Sequence, residues 1–166
     1  MSKHIRQWMV LFVGAAMCPI FFASNLGALQ MQMLGSRDTF RAAGLSSAEV
    51  KEIVKQVEES AYDIADEWES ELRVRRVDLG ESPGVILQGT KLLCGATGNC
   101  QTWVFRKALN GWMLMFAKDD VPIADGFRLG PAVSHGIKDL IIQANSSAEA
   151  VHTITYKFDG KLYRAK

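Results

Sequence analysis

The chain is poor in cysteine, in proline and in excess charge. Its 166 residues include three cysteines and four prolines, and 19 basic residues face 18 acidic ones, for a net charge of +1. This balance provides no electrostatic footprint for a nucleic acid, so no nucleic-acid partner is predicted. With 48% apolar and 22% charged residues, the composition is that of a globular domain and excludes disordered, collagen-like and low-complexity chains.

The N-terminal segment is basic and then apolar. Lys3, His4 and Arg6 precede fifteen uncharged residues at 9–23. This order is typical of a secretory signal peptide, which we predict at residues 1–28, and it implies a periplasmic or secreted protein. The run is short for a membrane span, which needs about 20 apolar residues. Because apolar residues continue to Met33, a retained membrane anchor is the alternative.

An amphipathic helix is predicted over residues 46–72, after a linker and a short helix at 29–45. Ser46 and Glu49 have the S-x-x-E spacing of a capping box. Apolar residues then recur from Val50 to Leu72 with a period near 3.6, and most charged residues lie off this stripe. One face of the helix is therefore expected to be buried and the other solvated.

Short β-rich runs fill residues 72–166. Asn110-Gly111 and Asp159-Gly160 are strong signals for tight hairpins. Each closes a similar unit of strand, loop, strand, turn and strand, at 85–114 and 140–163. We predict an α+β fold in which the helix packs on one antiparallel sheet made of these two three-stranded meanders. The alternative is a chance similarity between two unrelated meanders.

Two cysteines, Cys94 and Cys100, follow the predicted signal peptide. An even cysteine count in an exported chain predicts a disulfide. Zinc sites usually have four closely spaced ligands, and no histidine lies near either cysteine in the sequence. A redox pair usually has the spacing C-x-x-C, which is absent here. A structural disulfide is therefore favoured over a metal pair, and no metal or cofactor is predicted.

The segment that the disulfide would close is the candidate binding loop. A disulfide lowers the entropic cost of ordering such a loop, and glycine lets its backbone approach a partner closely. The alternative is a hairpin connection that the bridge merely stabilises. The expected partner is an envelope or host protein or a glycan, with membrane contact only if the N-terminal segment is retained. The loop consists of Gly95, Ala96, Thr97, Gly98 and Asn99.

Patterns for catalysis are scarce, and no catalytic residue is predicted. The sequence contains no G-x-S-x-G, H-E-x-x-H, P-loop, G-x-G-x-x-G or EF-hand pattern. His135 is interpreted as a turn residue and His152 as a solvent-facing strand residue. A hydrolase of envelope polymers is the alternative to a binding module. It would need Asp119 or Asp120 to lie near Asp139 in a cleft.

The segment Cys94–Lys107, with the sequence CGATGNCQTWVFRK, resembles a motif of uncharacterised exported bacterial proteins. Residues 136–164 resemble the second half of the same pattern, which implies a signal peptide followed by a small β-rich domain without a known activity. The hairpins are also similar to units of FG-GAP repeats, but the acidic calcium-binding cluster of those repeats is missing.

A weaker similarity links the chain to Ivy-type inhibitors of vertebrate lysozyme. These are exported α+β proteins that present a disulfide-closed loop to the enzyme, so the resemblance implies a hydrolase inhibitor of lysozyme type. Their loop contains a histidine, whereas the segment from Cys94 to Cys100 has none.

Overall fold

The computed structural model describes residues 40–61, 68–147 and 150–166. The predicted signal peptide and residues 29–39 of the predicted linker and short helix lie outside these ranges. Residues 40–44 form a turn and not part of a helix. One helix and two short 3-10 turns, Trp68–Glu71 and Lys91–Leu93, accompany the strands of the described chain. The helix is α1 (Ser47–Glu58), and the strands are β1 (Leu72–Asp78), β2 (Pro83–Gly89), β3 (Cys100–Ala108), β4 (Gly111–Leu114), β5 (Ile123–Ala124), β6 (Gly126–Ser134), β7 (Ile137–Asn145), β8 (Val151–Phe158) and β9 (Tyr163–Ala165).

Helix α1 begins at the predicted capping box. The Ser46 hydroxyl accepts a hydrogen bond from the Glu49 N–H at 3.4 Å, and the Ser46 N–H donates to the Glu49 carboxylate at 3.0 Å. The two side chains thus satisfy backbone donors that the first helical turn leaves without partners. The predicted start is therefore confirmed.

The helix ends at Glu58, well before the predicted end at residue 72. The Ser60 hydroxyl donates to the Gln56 carbonyl at 2.7 Å, and it accepts a hydrogen bond from the Trp103 indole at 3.1 Å. Ser60 therefore closes the last turn and ties it to β3, and the later apolar residues Trp68 and Leu72 belong to a 3-10 turn and to β1. Periodicity alone cannot separate one long helix from consecutive elements that bury the same side.

The α+β class is observed, with mostly antiparallel strands and one described helix. The single predicted sheet is wrong, because the strands form two sheets. One has the order β1-β2-β3-β4, with β5 beside the start of β3, and the other has the order β6-β7-β8-β9. The predicted meanders are roughly present as β2-β3-β4 and β7-β8-β9, and β1 and β6 each add one strand.

A second sheet is needed because β2 and β3 are buried on both faces. Side chains alternate along a strand, so Trp103 points toward α1, while Arg106 lies on the other face. There its guanidinium carbon is 5.4 Å from the ring centre of Phe158 in β8. The first sheet thus lies between α1 and the second sheet, and all three layers contribute to one hydrophobic core.

Helix α1 also covers the outer edge of β4. The Glu52 carboxylate accepts from the Trp112 N–H at 2.9 Å. The Gln56 amide accepts from the Leu114 N–H at 3.1 Å and donates to the Trp112 carbonyl at 2.9 Å. These helix side chains satisfy backbone groups that a further strand would otherwise pair.

The strands define two ends of the molecule. We call the end with the turns at 79–82, 109–110, 135–136 and 159–162 the hairpin end. Backbone hydrogen bonds join two of these turns, from the Glu81 N–H to the Gly136 carbonyl at 2.9 Å and from the Lys138 N–H to the Leu79 carbonyl at 2.7 Å. The opposite end, which we call the loop end, contains the connections at 90–99 and 146–150.

Candidate recognition loop

The predicted disulfide between Cys94 and Cys100 is present, with 3.9 Å between the two Cα atoms. The same two residues form an isolated antiparallel bridge, and β3 begins at Cys100. The disulfide therefore closes a short hairpin that continues directly from a central strand of the core. A rigid strand thus holds one end of the candidate loop.

The loop itself is a tight turn. The Gly95 N–H donates to the Asn99 carbonyl at 2.8 Å, and the Gly98 N–H donates to the Gly95 carbonyl at 2.9 Å. Gly98 has a φ of 80°. These features fit a three-residue hairpin with a bulge at a left-handed residue, a position that favours glycine. The four residues Gly95–Gly98 are exposed and form the tip of the loop.

Asn99 differs from the other four predicted loop residues because it is buried, with 8% of its surface exposed. Its side-chain amide accepts from the Asn145 N–H at 2.8 Å and donates to the Asn145 carbonyl at 2.6 Å. It also donates to the Thr97 hydroxyl at 2.9 Å. Asn99 therefore clamps the loop to the end of β7, whereas the tip residues remain available for contact.

The clamp joins the two loops that connect the first and second strands of the two predicted units. Just beyond Asn145, the Ser146 N–H donates to the Ala150 carbonyl at 2.9 Å. This hydrogen bond holds the two ends of the β7–β8 connection together. The exposed His152 lies with its Nε2 2.9 Å from the Ser146 hydroxyl. Nothing in the sequence signals the contact between Asn99 and Asn145, since 46 residues separate them.

Two exposed apolar side chains lie on elements that adjoin the disulfide hairpin, and sequence reasoning missed both. Leu92 lies in the 3-10 turn before Cys94 and is 61% exposed. Ile123 in β5 pairs with Gln101 of β3 and is 47% exposed. We call Leu92, Gly95–Gly98 and Ile123 the loop surface. Its one sequence signal is weak: no charged residue occurs from Leu92 to Phe105.

The acidic residues considered for hydrolysis have very different environments. Asp119 and Asp120 are exposed in the segment after β4. The side chain of Asp139 in β7 is 5% exposed, accepts from the Ser134 hydroxyl at 2.7 Å and lies 3.8 Å from the Lys157 amine. The contacts of Asp139 are thus those of a buried structural carboxylate.

The Tyr163 side chain is buried in the same part of the second sheet as Asp139. Its hydroxyl donates to the Lys138 carbonyl at 2.7 Å. Burial, followed by the negative charge of Asp139, raises the pKa of the Tyr163 phenol far above its ordinary value. The phenol therefore stays protonated and serves as a hydrogen-bond donor in the core.

His135 lies in the turn between β6 and β7, as interpreted from the sequence, with a left-handed φ of 48°.

Across residues 40–61, 68–147 and 150–166, no three His, Cys, Asp or Glu side chains are grouped in a way that could hold a metal ion. No helix in the same ranges has the length and apolar character to cross a membrane.

No family model matches the chain, and neither the curated proteins nor the solved structures contain a significant match to it.

Proposed function

We propose that this protein is an exported binding module that recognises an envelope or host protein, or a glycan, through the loop surface. The observation that carries the proposal is the way the tip is held. Gly95–Gly98 are exposed, while the disulfide joins the two ends of the loop and Asn99, next to Cys100, ties it to Asn145. A loop ordered before binding loses little conformational entropy when it meets its ligand.

The chemistry of the loop surface indicates the kind of ligand. The tip has small side chains and accessible backbone groups, and the adjoining elements carry the exposed apolar side chains of Leu92 and Ile123. Interfaces are depleted of charge at their centre and bury apolar residues there. We therefore expect a ligand with an uncharged contact surface, because the loop surface has no charge with which to pair an ionic group.

Export is supported by two features. The basic and apolar start of the chain has the form of a signal peptide. A disulfide persists in oxidising compartments such as the periplasm or the extracellular space. If the N-terminal segment is retained after export, the same module would be tethered to the membrane.

Inhibition of a lysozyme-type hydrolase is the second candidate, favoured by the exposed disulfide-closed tip. The absence of histidine from this tip means that any inhibition would depend on backbone groups and small side chains. Catalysis by an envelope hydrolase receives less support, because Asp139 would have to become accessible from a site where its side chain is 5% exposed.

The test is affinity capture by the oxidised protein, with an envelope extract and a panel of lysozymes as probes. The informative variant is Ala96→Arg, which places a long charged side chain on the exposed tip and removes no hydrogen bond. The matched control is Ala132→Arg, at an exposed position in β6. We expect one stoichiometric ligand that the wild type and Ala132→Arg retain and Ala96→Arg loses.

Two other results would contradict the proposal. Capture that Ala96→Arg leaves unchanged would place recognition elsewhere on the molecule. No capture by either form would make the loop a structural hairpin. Capture of a lysozyme, with loss of that enzyme's activity, would support the inhibitor candidate over an envelope ligand.

A further inference from the structure

The second sheet has an edge that no described strand covers. β9 pairs only with the last three residues of β8, Tyr156–Phe158. The first half of β8 pairs with β7 on one side and with no strand of the described chain on the other. We call residues 151–154 the open edge.

The backbone groups that face outward along this edge can be identified. The Lys166 N–H, just beyond β9, donates to the Thr155 carbonyl at 2.9 Å, so Thr155 directs its backbone groups to the β9 side. Backbone groups of successive residues point to opposite sides of a strand. Val151 and Thr153 therefore also direct their N–H and C=O groups to this side, where a further strand would pair with them.

The other sheet edges carry features that hinder pairing with another chain. β4 is covered by α1. β6 contains Pro131 and a shift in register between Leu129 and Val133. β9 is three residues long, contains Arg164 and is followed by Lys166. β1 has three arginines among its seven residues. Charge, proline, irregular register and short length are the usual means by which proteins block edge-to-edge pairing.

The open edge has none of these features. Its sequence from Val151 to Ile154 is V-H-T-I, which has no lysine, arginine, acid, proline or glycine. Three of these four residues are β-branched, a type that favours extended strands. Val151, His152 and Thr153 are exposed. The edge therefore has both the backbone groups and the side chains of a strand ready for pairing.

We propose that the open edge pairs with the open edge of a second copy of this chain, in antiparallel orientation about a two-fold axis at His152. Val151 of each copy would then exchange backbone hydrogen bonds with Thr153 of the other. The hydrogen bond from the Lys166 N–H to the Thr155 carbonyl and the β7–β8 connection limit the free length to a few residues. A second copy satisfies this limit, because its own open edge is equally short and contains no lysine, arginine or acidic residue that would repel the first.

The dimer would be weak and would leave the loop surface free. An interface of a few strand residues falls below the size of stable protein interfaces, so we expect a concentration-dependent association. Asn99 and the disulfide loop contact β7 on the side away from β8, because the Asn145 backbone that they bind faces away from the open edge. Self-pairing is thus independent of the function proposed for the loop.

The test is sedimentation of the full chain over about 10 µM to 1 mM, the range in which a small interface forms. We expect the mean mass of the wild type to rise toward that of a dimer. Thr153→Pro removes an N–H that the β7 pairing does not use, and it should stay monomeric. Val151→Lys should weaken association at least tenfold. Val133→Lys is the matched control, since Val133 is 57% exposed and Val151 55%, and it should behave as the wild type.

Amide exchange provides a second readout that does not depend on a variant folding. In the wild type, exchange at Val151 and Thr153 should slow as concentration rises, while exchange at Ala165 should not change. A monomer at 1 mM would overturn the proposal. It would also be overturned by equal dissociation of Val151→Lys and Val133→Lys, or by association without protection of these two amides.

Discussion

The two ends of the molecule are held together by different forces. At the hairpin end, ion pairs join Asp78 to Lys138 at 2.8 Å and Asp159 to Arg164 at 3.0 Å. At the loop end, the Cys94–Cys100 disulfide closes the loop, and the neutral Asn99 amide binds it to Asn145. The difference indicates that acid should loosen the hairpin end and that reduction should loosen the loop end. The loop surface itself contains no charged residue, which is consistent with the uncharged ligand that we propose for it.

The largest expected effect is at the disulfide. Replacing both cysteines by serine, Cys94→Ser with Cys100→Ser, removes the constraint on a seven-residue ring, and we expect the free energy of unfolding to fall by about 2–3 kcal/mol. Denaturant unfolding of the oxidised wild type and the double variant measures this difference. Unchanged stability together with unchanged ligand capture would show that the loop is neither a staple nor a site.

The next effect is expected at the clamp between the two loops. Asn99→Ala leaves the N–H and C=O groups of Asn145 without their partners, and we expect a loss of about 1–3 kcal/mol in the free energy of unfolding. Thr97→Val, which removes only the hydroxyl that Asn99 also contacts, should cost less. If the two variants lost equal stability, the hydrogen bonds between Asn99 and Asn145 would not be the contacts that stabilise the loop.

Acid should loosen the hairpin end more than the loop end. Hydrogen bonds from the Leu162 and Lys161 N–H groups, and then the Arg164 side chain, lower the pKa of Asp159 from 3.8 to about 2. Because this pKa is lower in the folded state, the carboxylate stabilises the fold above about pH 4 and loses that contribution as the pH falls toward 2. Amide exchange at Lys161 and Leu162 should therefore accelerate in this range, while exchange at Asn145 should not.

The control for this pH dependence is Asp159→Asn, which removes the titrating group. Exchange at Lys161 and Leu162 in this variant should depend much less on pH between 4 and 2, after correction for intrinsic exchange rates. Asp78 should behave in the same direction as Asp159, because its hydrogen bond to Lys138 and then the Gly80 N–H lower its pKa. Equal acceleration at both ends would contradict the comparison.

The smallest effect on stability is expected for a matched pair of exposed leucines, one at each end. Leu92→Glu changes the loop surface, and Leu109→Glu changes the hairpin between β3 and β4, where Leu109 is exposed. Each should alter the free energy of unfolding by no more than about 0.5 kcal/mol, because neither side chain is buried. Thermal unfolding would check this, and a larger loss in either variant would mean that its leucine has a structural role.

Local sequence signals predicted local structure well. The S-x-x-E pattern located the start of α1, and Asn110-Gly111 and Asp159-Gly160 fall at hairpin turns. The pairing of Cys94 with Cys100 followed from cysteine count and context. Each of these features depends on residues a few positions apart, so the sequence contains all of the information they need.

Features that depend on distant contacts were not predictable in the same way. The helix ends where Ser60 meets Trp103, 43 residues further on. The division into two sheets follows from the burial of both faces of β2 and β3. For the same reason, the sequence indicated the loop but not the split between its exposed tip and the buried Asn99.

The most direct test of the loop surface is the affinity of the captured ligand for Leu92→Glu and Leu109→Glu, measured side by side with the wild type. We expect at least a tenfold loss of affinity for Leu92→Glu, about 1.4 kcal/mol, and an unchanged affinity for Leu109→Glu. Equal affinities of the two variants, or a loss confined to Leu109→Glu, would contradict the assignment of recognition to the loop end.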